Sequence, residues 1–369
     1  MLLHYRRLSA INKGNHASLL SLSTFGMFTA QNVLLMIKLI KGNWVPILLG
    51  VIIVWLAGKQ VVQGLYDGQK DVLPGGLDLI ADSTWTAPSL YLDNEPKGKQ
   101  REMIIYGQDL IAHTAVYFGP HGSVAPNSNG MNCQNCHLDA GTRAWGNNYG
   151  AVFATYPQYR SRSNAVQDIY GRVNDCFERS LNGRSLDTGS YEMHAIYAYM
   201  KWLGQSVQKG RHPYGSGLPK LTLPERAADL KKGKLVYVNT CQSCHGPEGQ
   251  GAENTAQTEY IYPPLWGEHS YNDGAGLYRL SNFASFVYNN MPLGQASHQH
   301  PGLSQEEAWD VAAFVNSQPR PHLDQRGDWP DVSKKPFDAP FGPYADSFPQ
   351  RQHKYGPFQP IADAAKKNK

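Results

Sequence analysis

Two short runs limit what this chain can fold into: Cys133-Gln-Asn-Cys136-His137 and Cys241-Gln-Ser-Cys244-His245. A Cys-x-x-Cys-His run is the attachment signature of c-type haem, in which both thiols become thioethers and the adjacent histidine becomes an axial iron ligand. One such run alone would also fit a redox dithiol or half a zinc site. Two, each followed at once by His, point to two covalently bound haem c groups on Cys133, Cys136, Cys241 and Cys244, with His137 and His245 on the irons. The motifs lie 108 residues apart, and each falls between an opening and a closing helical pattern. That is an internal duplication of a haem-binding unit. The fold expected is mainly α, two cytochrome c-like domains in which the haems supply much of each core.

Four of the five cysteines are consumed this way, which isolates Cys176. An odd cysteine is ordinarily a small buried hydrophobe or a thiol for intermolecular pairing. Here Arg172, Cys176 and Ser180 are spaced i, i+4, i+8, so on a helix they share a face, while Ile169, Val173, Phe177 and Leu181 make the apolar stripe beside it. Asn182-Gly183 supplies a stop. A thiol with a guanidinium one turn before it and a hydroxyl one turn after sits in surroundings that favour thiolate, the form that ligates metal or attacks sulfur.

Along the chain, 1–43 carries no fold pattern, and Met27 and Met36 are alternative starts. Residues 44–58 are uncharged but, at 15 residues, short for a span of about 17–25. With Lys38 and Lys41 ahead of it and no small-x-small cleavage site behind, the 44–60 segment reads as an uncleaved signal anchor, or failing that a signal peptide. The chain is therefore expected in the periplasm, anchored to the cytoplasmic membrane. A linker covers 61–98. The first cytochrome c-like domain, 99–220, opens with an amphipathic helix over 99–117 and closes with one over 191–203. The second, 221–319, opens with a helix from Pro224 through Val238 and closes with 306–317. Little strand signal is present. The proline- and aromatic-rich tail, 320–369, has too many large apolar anchors to be disordered and is expected to pack across the domains. A formal charge of +4 suits an anionic small molecule and is too weak to argue for nucleic acid.

For the distal ligand of the second haem, Met291 stands 46 residues after His245 in the loop chemistry of Asn290-Met291-Pro292, with His298 and His300 as competitors. For the first haem the candidate is Cys176, with His194 as competitor. Thiolate lowers a haem potential and thioether raises it, so the first haem reads as the chemical site and the second as an electron relay.

The chain resembles the thiosulfate dehydrogenase family, dihaem cytochromes that couple two thiosulfates to tetrathionate. The resemblance spans roughly 99–360. It rests on the first haem motif, the run from Tyr156 through Arg160 and Arg162 to Ser163, the Arg172/Cys176/Ser180 helix, the second motif with Met291, and the stretches 342–346 and 352–358. It implies His137/Cys176 ligation of the first iron and His245/Met291 ligation of the second, with Arg162, Arg172 and Ser180 lining a substrate site around Cys176. It also implies a c-type cytochrome or similar electron acceptor. Some members have a lysine just before the methionine, able to replace it on iron; this chain has Asn290 there. The rival readings are a sulfur-oxidation cytochrome that loads thiosulfate onto a carrier cysteine, and a pure dihaem electron carrier for which the Arg172 and Ser180 cluster would be superfluous.

Overall fold

The opening and closing helices of each unit cross at a glycine. In the first unit, α1 (Lys99–Ala112) brings Gly107 so close to the closing helix that a Cβ there would lie 2.0 Å from the Ala195 carbonyl oxygen. In the second, Gly233 makes the same approach to the Asp310 carbonyl, again 2.0 Å. The computed structural model describes residues 84–90 and 96–367. The expected anchor at 44–60 and most of the 61–98 linker lie outside the described residues. Among the described residues no helix is long and apolar enough to cross a membrane.

After α1 come a short helix, Thr114–Phe118, then the first Cys-x-x-Cys-His run, and a two-stranded antiparallel hairpin of β1 (Gln158–Arg160) and β2 (Ala165–Gln167). Helix α2 (Ile169–Arg179) and the closing helix α3 (Tyr191–Gly204) follow. The second unit has α4 (Leu230–Val236), the small hairpin β3 (Ala252–Glu253) and β4 (Tyr260–Tyr262), α5 (Leu280–Asn290) and the closing helix α6 (Gln305–Ser317). Two tail helices, α7 (Gln350–Tyr355) and α8 (Gln359–Lys367), complete the chain. The result is mainly α, and the two short hairpins are the strands the sequence pattern did not reveal.

Local chemistry sets the helix ends. Asp168 accepts from the Gly171 amide to start α2, and Ser190 accepts from Met193 to start α3. Ser304 and Glu307 form a reciprocal capping box at α6. Two expected boundaries move. The opening helix stops at Ala112 rather than Tyr117, where the Thr114 hydroxyl turns back onto the Leu110 carbonyl (2.8 Å) and Asn132 Oδ1 accepts from the Ala115 amide (2.8 Å). Helix α4 starts at Leu230, six residues after Pro224, because Asp229 supplies the N-cap to Lys231 and Lys232. Its C-terminal end continues as a π-helical turn, Tyr237–Cys241, that delivers the second motif.

Ile104, Leu110, Ile111, Met193, Ile196, Tyr199 and Leu203 fill the core between α1 and α3, joined by Phe177 of α2. Tyr237, Phe283, Trp309, Val311 and Val315 fill the second core, and the tail closes it with buried Phe358. The units are joined by polar clasps. Asn290 donates to the Trp145 carbonyl (3.0 Å), Asn272 to the Glu178 carbonyl (2.8 Å), and Asn132 to Glu259 (2.9 Å).

Candidate functional site: two unlike cavities behind the repeated motif

The first cavity, about 310 Å3, is bounded by the first motif on one side and α2 on the other, so that Cys133, Cys136, His137, Arg172, Cys176 and Ser180 all line it. Helix α2 arrives in this orientation because Ile169, Val173 and Phe177 are buried against the core, which leaves the Arg172/Cys176 face toward the cavity; Ser180 is its C-cap residue. The His137 ring is fixed on two sides. Its Nδ1 lies 2.6 Å from the Asn147 carbonyl and its face stacks on Tyr149 at 4.5 Å between centroids. Nδ1 is therefore the donor, and Nε2 keeps its lone pair for a metal. Burial, opposed by the Asn147 bond and aided by Arg172, pushes His137 down to about 4 and keeps the ring neutral. Arg172 is held above its ordinary value, chiefly by Cys176, so the guanidinium is charged beside the thiol. Among the described residues no Asp or Glu lines this cavity, whereas Arg160 and Arg172 do.

The second cavity, about 510 Å3, gathers Cys241, Cys244, His245 and Met291. His245 Nδ1 lies 2.9 Å from the Pro263 carbonyl, so again Nε2 is the free nitrogen, and burial lowers this histidine too. Here the charge pattern is reversed. Asp139 and Glu259 reach the lining and no Arg or Lys does, while Leu265, Phe283, Val287 and Val315 make much of the wall. Met131, Asn132 and Cys136 line both cavities, so the partition between them is thin.

Comparison with known proteins fits this geometry. Residues 123–208 match the family model described as SoxA/TsdA, cytochrome c domain, and residues 230–319 match that of cytochrome c. A thiosulfate dehydrogenase of Psychrobacter arcticus is 39% identical over 287 residues, 75% of this chain and 84% of the relative. Another, from Allochromatium vinosum, is 39% identical over 230 residues, 61% of this chain and 81% of the relative. The chain belongs to the thiosulfate dehydrogenase family. Among solved structures, thiosulfate dehydrogenase (TsdBA) from Marichromatium purpuratum in its "as isolated" form aligns with a TM-score of 0.60 at 34% identity. The alignment covers 67% of this chain and 51% of that one, so the chain spans about half the length of that structure.

As a thiosulfate dehydrogenase family member with two cytochrome c domains, the protein carries two covalently bound haem c groups, and the expectation of an enzyme holds over that of a pure carrier. The residues present fit those groups. None of the five cysteines is engaged in a disulfide, so both pairs are available for thioether attachment. Each motif histidine is half-buried, neutral and oriented by a backbone carbonyl, and each apolar cavity opens beside its own cysteine pair. Among the described residues no group of three or more His, Cys, Asp or Glu converges as a bare ion site.

The competing histidines lie elsewhere. His194 is exposed on α3, His300 is exposed, and His298 stacks on Trp145 at 4.3 Å with Nδ1 on Asn289. Arg162 does not line the first cavity. Its guanidinium lies over Trp329 and beside Asp328, and its Nη1 donates to the Gly274 carbonyl at 3.1 Å. Arg160, two residues earlier, does reach the cavity, and its side chain has no hydrogen-bond or ion-pair partner among the described residues. The sequence placed Arg160 only inside a family run; the hairpin that turns it inward has three-residue strands, too short to show a period. Tyr149, Tyr156 and Asn147 were likewise brought to the site by loops.

Proposed function

We propose that the protein oxidises thiosulfate to tetrathionate at Cys176 and passes the electrons out through its second domain. The observation that carries this is the first cavity itself: a cysteine thiol between a guanidinium and a hydroxyl, beside a motif histidine, in a lining with cations and no carboxylate. Thiosulfate is a small dianion whose sulfonate oxygens suit planar guanidinium forks. Arg172 from α2 and Arg160 from β1, which both line the cavity, would hold that end, with Arg162 adding positive charge from outside the lining; Ser180 would donate to it, and the terminal sulfur would face Cys176.

In this scheme His137 and Cys176 would hold the iron of the first haem, and His245 and Met291 that of the second. The haems, when bound, accept the two electrons, and thiolate against thioether ligation makes the second the better acceptor. The Cys176 thiolate bonds the terminal sulfur of one thiosulfate with loss of two electrons, leaving a sulfonate-capped disulfide on the protein. A second thiosulfate attacks the outer sulfur of that adduct, Cys176 leaves as thiolate, and tetrathionate departs. Two thiosulfate dianions thus become one tetrathionate dianion and two electrons.

Reduction of tetrathionate by the reverse path belongs to the same proposal. So do export to the periplasm with anchoring through 44–60, and a c-type cytochrome or similar protein as electron acceptor. Loading of thiosulfate onto a carrier cysteine is disfavoured by the built-in second domain, whose Met291 cavity already provides an electron exit. Asn290 is fully engaged with the Trp145 and Phe286 carbonyls (3.0 and 3.1 Å), so no ligand exchange with Met291 is expected from that position. Turnover of haem-loaded protein with a cytochrome acceptor tests the reading. One tetrathionate should form per two thiosulfates consumed, and none with Cys176→Ala; sulfite or sulfate as the product would overturn it.

A further inference from the structure

Arg162 is held by a segment that belongs to neither haem-binding unit. Its carbonyl accepts from the Trp329 amide (2.7 Å), its guanidinium lies 4.8 Å from the centre of the Trp329 ring, and its Nε is 3.7 Å from Asp328 Oδ2. Asp328 in turn takes both Nη atoms of Arg179 (2.9 and 2.8 Å), and Arg179 lies three residues beyond Cys176 on α2. Asp175 sits between Arg179 (3.9 Å) and Arg172 (3.7 Å). Charge therefore runs unbroken along Arg172, Asp175, Arg179, Asp328 and Arg162.

This chain is not electrically balanced. It contains three guanidinium groups and two carboxylates, and Lys335 lies 5.5 Å from the other participant, the Trp329 ring. Arg179 Nε is buried without a hydrogen-bond partner. Arg162 is pulled down to about 10, first by burial and then by Arg179, against the opposing pull of Asp328. A purely structural clamp would be expected to neutralise its buried charges. Trp329 also adopts a left-handed backbone (φ 52°), a conformation that costs a bulky residue energy and is retained where surrounding contacts enforce it.

We propose that Asp328 and Trp329 are positioning residues for substrate. They hold Arg162 at the far end of the charged row that begins at Arg172 in the first cavity's lining, with its charge only partly met, so that a segment following the second domain adds a cation to the anion cradle of the first. The Gly274 carbonyl of the second unit adds a further stop on the same guanidinium. The proposal rests on the thiosulfate reading above and deepens it by naming what orients Arg162.

The test compares half-saturation for thiosulfate and kcat in haem-loaded wild type, Arg162→Ala, Trp329→Leu, Trp329→Phe and Asp328→Asn, each checked for equal haem content. Trp329→Leu should raise half-saturation roughly tenfold, the scale of one weakened charge-assisted contact, with kcat within about twofold. Trp329→Phe keeps a ring face and should stay within about threefold of wild type. Asp328→Asn has a built-in sign control. Losing a carboxylate makes the cradle more positive, so charge alone would lower half-saturation, whereas lost positioning raises it. In an Arg162→Ala background neither change should add to the defect. If Arg162→Ala raises half-saturation but Trp329→Leu and Asp328→Asn do not, or if their effects add, the positioning role is wrong and the thiosulfate reading stands. If Arg162→Ala itself is without effect, Arg162 has no place at the substrate and the positioning role falls with it, whereas the thiosulfate reading falls only if Cys176→Ala still forms tetrathionate.

Discussion

The two haem-binding units share a scaffold and differ in what lines the cavity beside each motif. Both cross their opening and closing helices at a glycine, and both tie the motif histidine to a backbone carbonyl. Beyond that the first cavity presents Arg160, Arg172, Cys176 and Ser180, and the second presents Met291 among apolar side chains with Asp139 and Glu259. On the proposed reading, one scaffold thus serves both as a chemical site that attracts an anion and as a relay that repels it. The division follows from lining charge: within a low-dielectric cavity, the sign of one or two fixed charges decides which ions enter.

The shared half of the comparison is broken most severely at the crossing. Gly107→Val and Gly233→Val each force side-chain atoms against a backbone carbonyl that cannot move aside, and each should cost about 3 kcal/mol or more. Thermal unfolding of the two holoproteins should show comparable losses. Tolerance of either change would mean that the two crossings do not do the same job.

The unlike half is sharpened by one substitution on each side. Arg172→Ala should raise half-saturation for thiosulfate about 10- to 100-fold, since a guanidinium bonded to a charged group contributes roughly 1.5–3 kcal/mol. Met291→Ala should leave half-saturation near wild type, lower the potential of the second haem and slow kcat, because its cavity takes no part in anion binding. Steady-state kinetics with redox titration reads both. Interchanged phenotypes would reverse the assignment of the two sites.

Periodicity made much of this legible in the sequence. The buried stripe of Ile169, Val173 and Phe177 fixed the rotation of α2, and with it the common face of Arg172 and Cys176. The apolar patterns over 191–203 and 306–317 marked the closing helices within a residue. What stayed hidden depends on contacts between distant segments. Nothing local to Arg162 signals that Asp328 and Trp329 will hold it, and nothing in the run 156–163 signals that a hairpin turns Arg160 rather than Arg162 into the cavity. Similarly, Asp229 displaced Pro224 as the start of α4 because Arg226 of the intervening stretch is fixed to Asp310 of α6 at 2.8 Å. The opposite lining charges of the two cavities are a tertiary property as well, since Glu259 reaches the second one from β3–β4 while clasping His113 and Asn132 of the first unit.

Everything in this account turns on Cys176, and the most direct measurement is the visible spectrum of oxidised, haem-loaded protein on anaerobic addition of thiosulfate. Cys176→Ala of equal haem content runs beside it. The account predicts that thiosulfate reduces the wild type and leaves Cys176→Ala oxidised, although dithionite reduces both. Reduction of Cys176→Ala by thiosulfate at the wild-type rate would contradict it, and would move the chemistry away from the first cavity's cysteine.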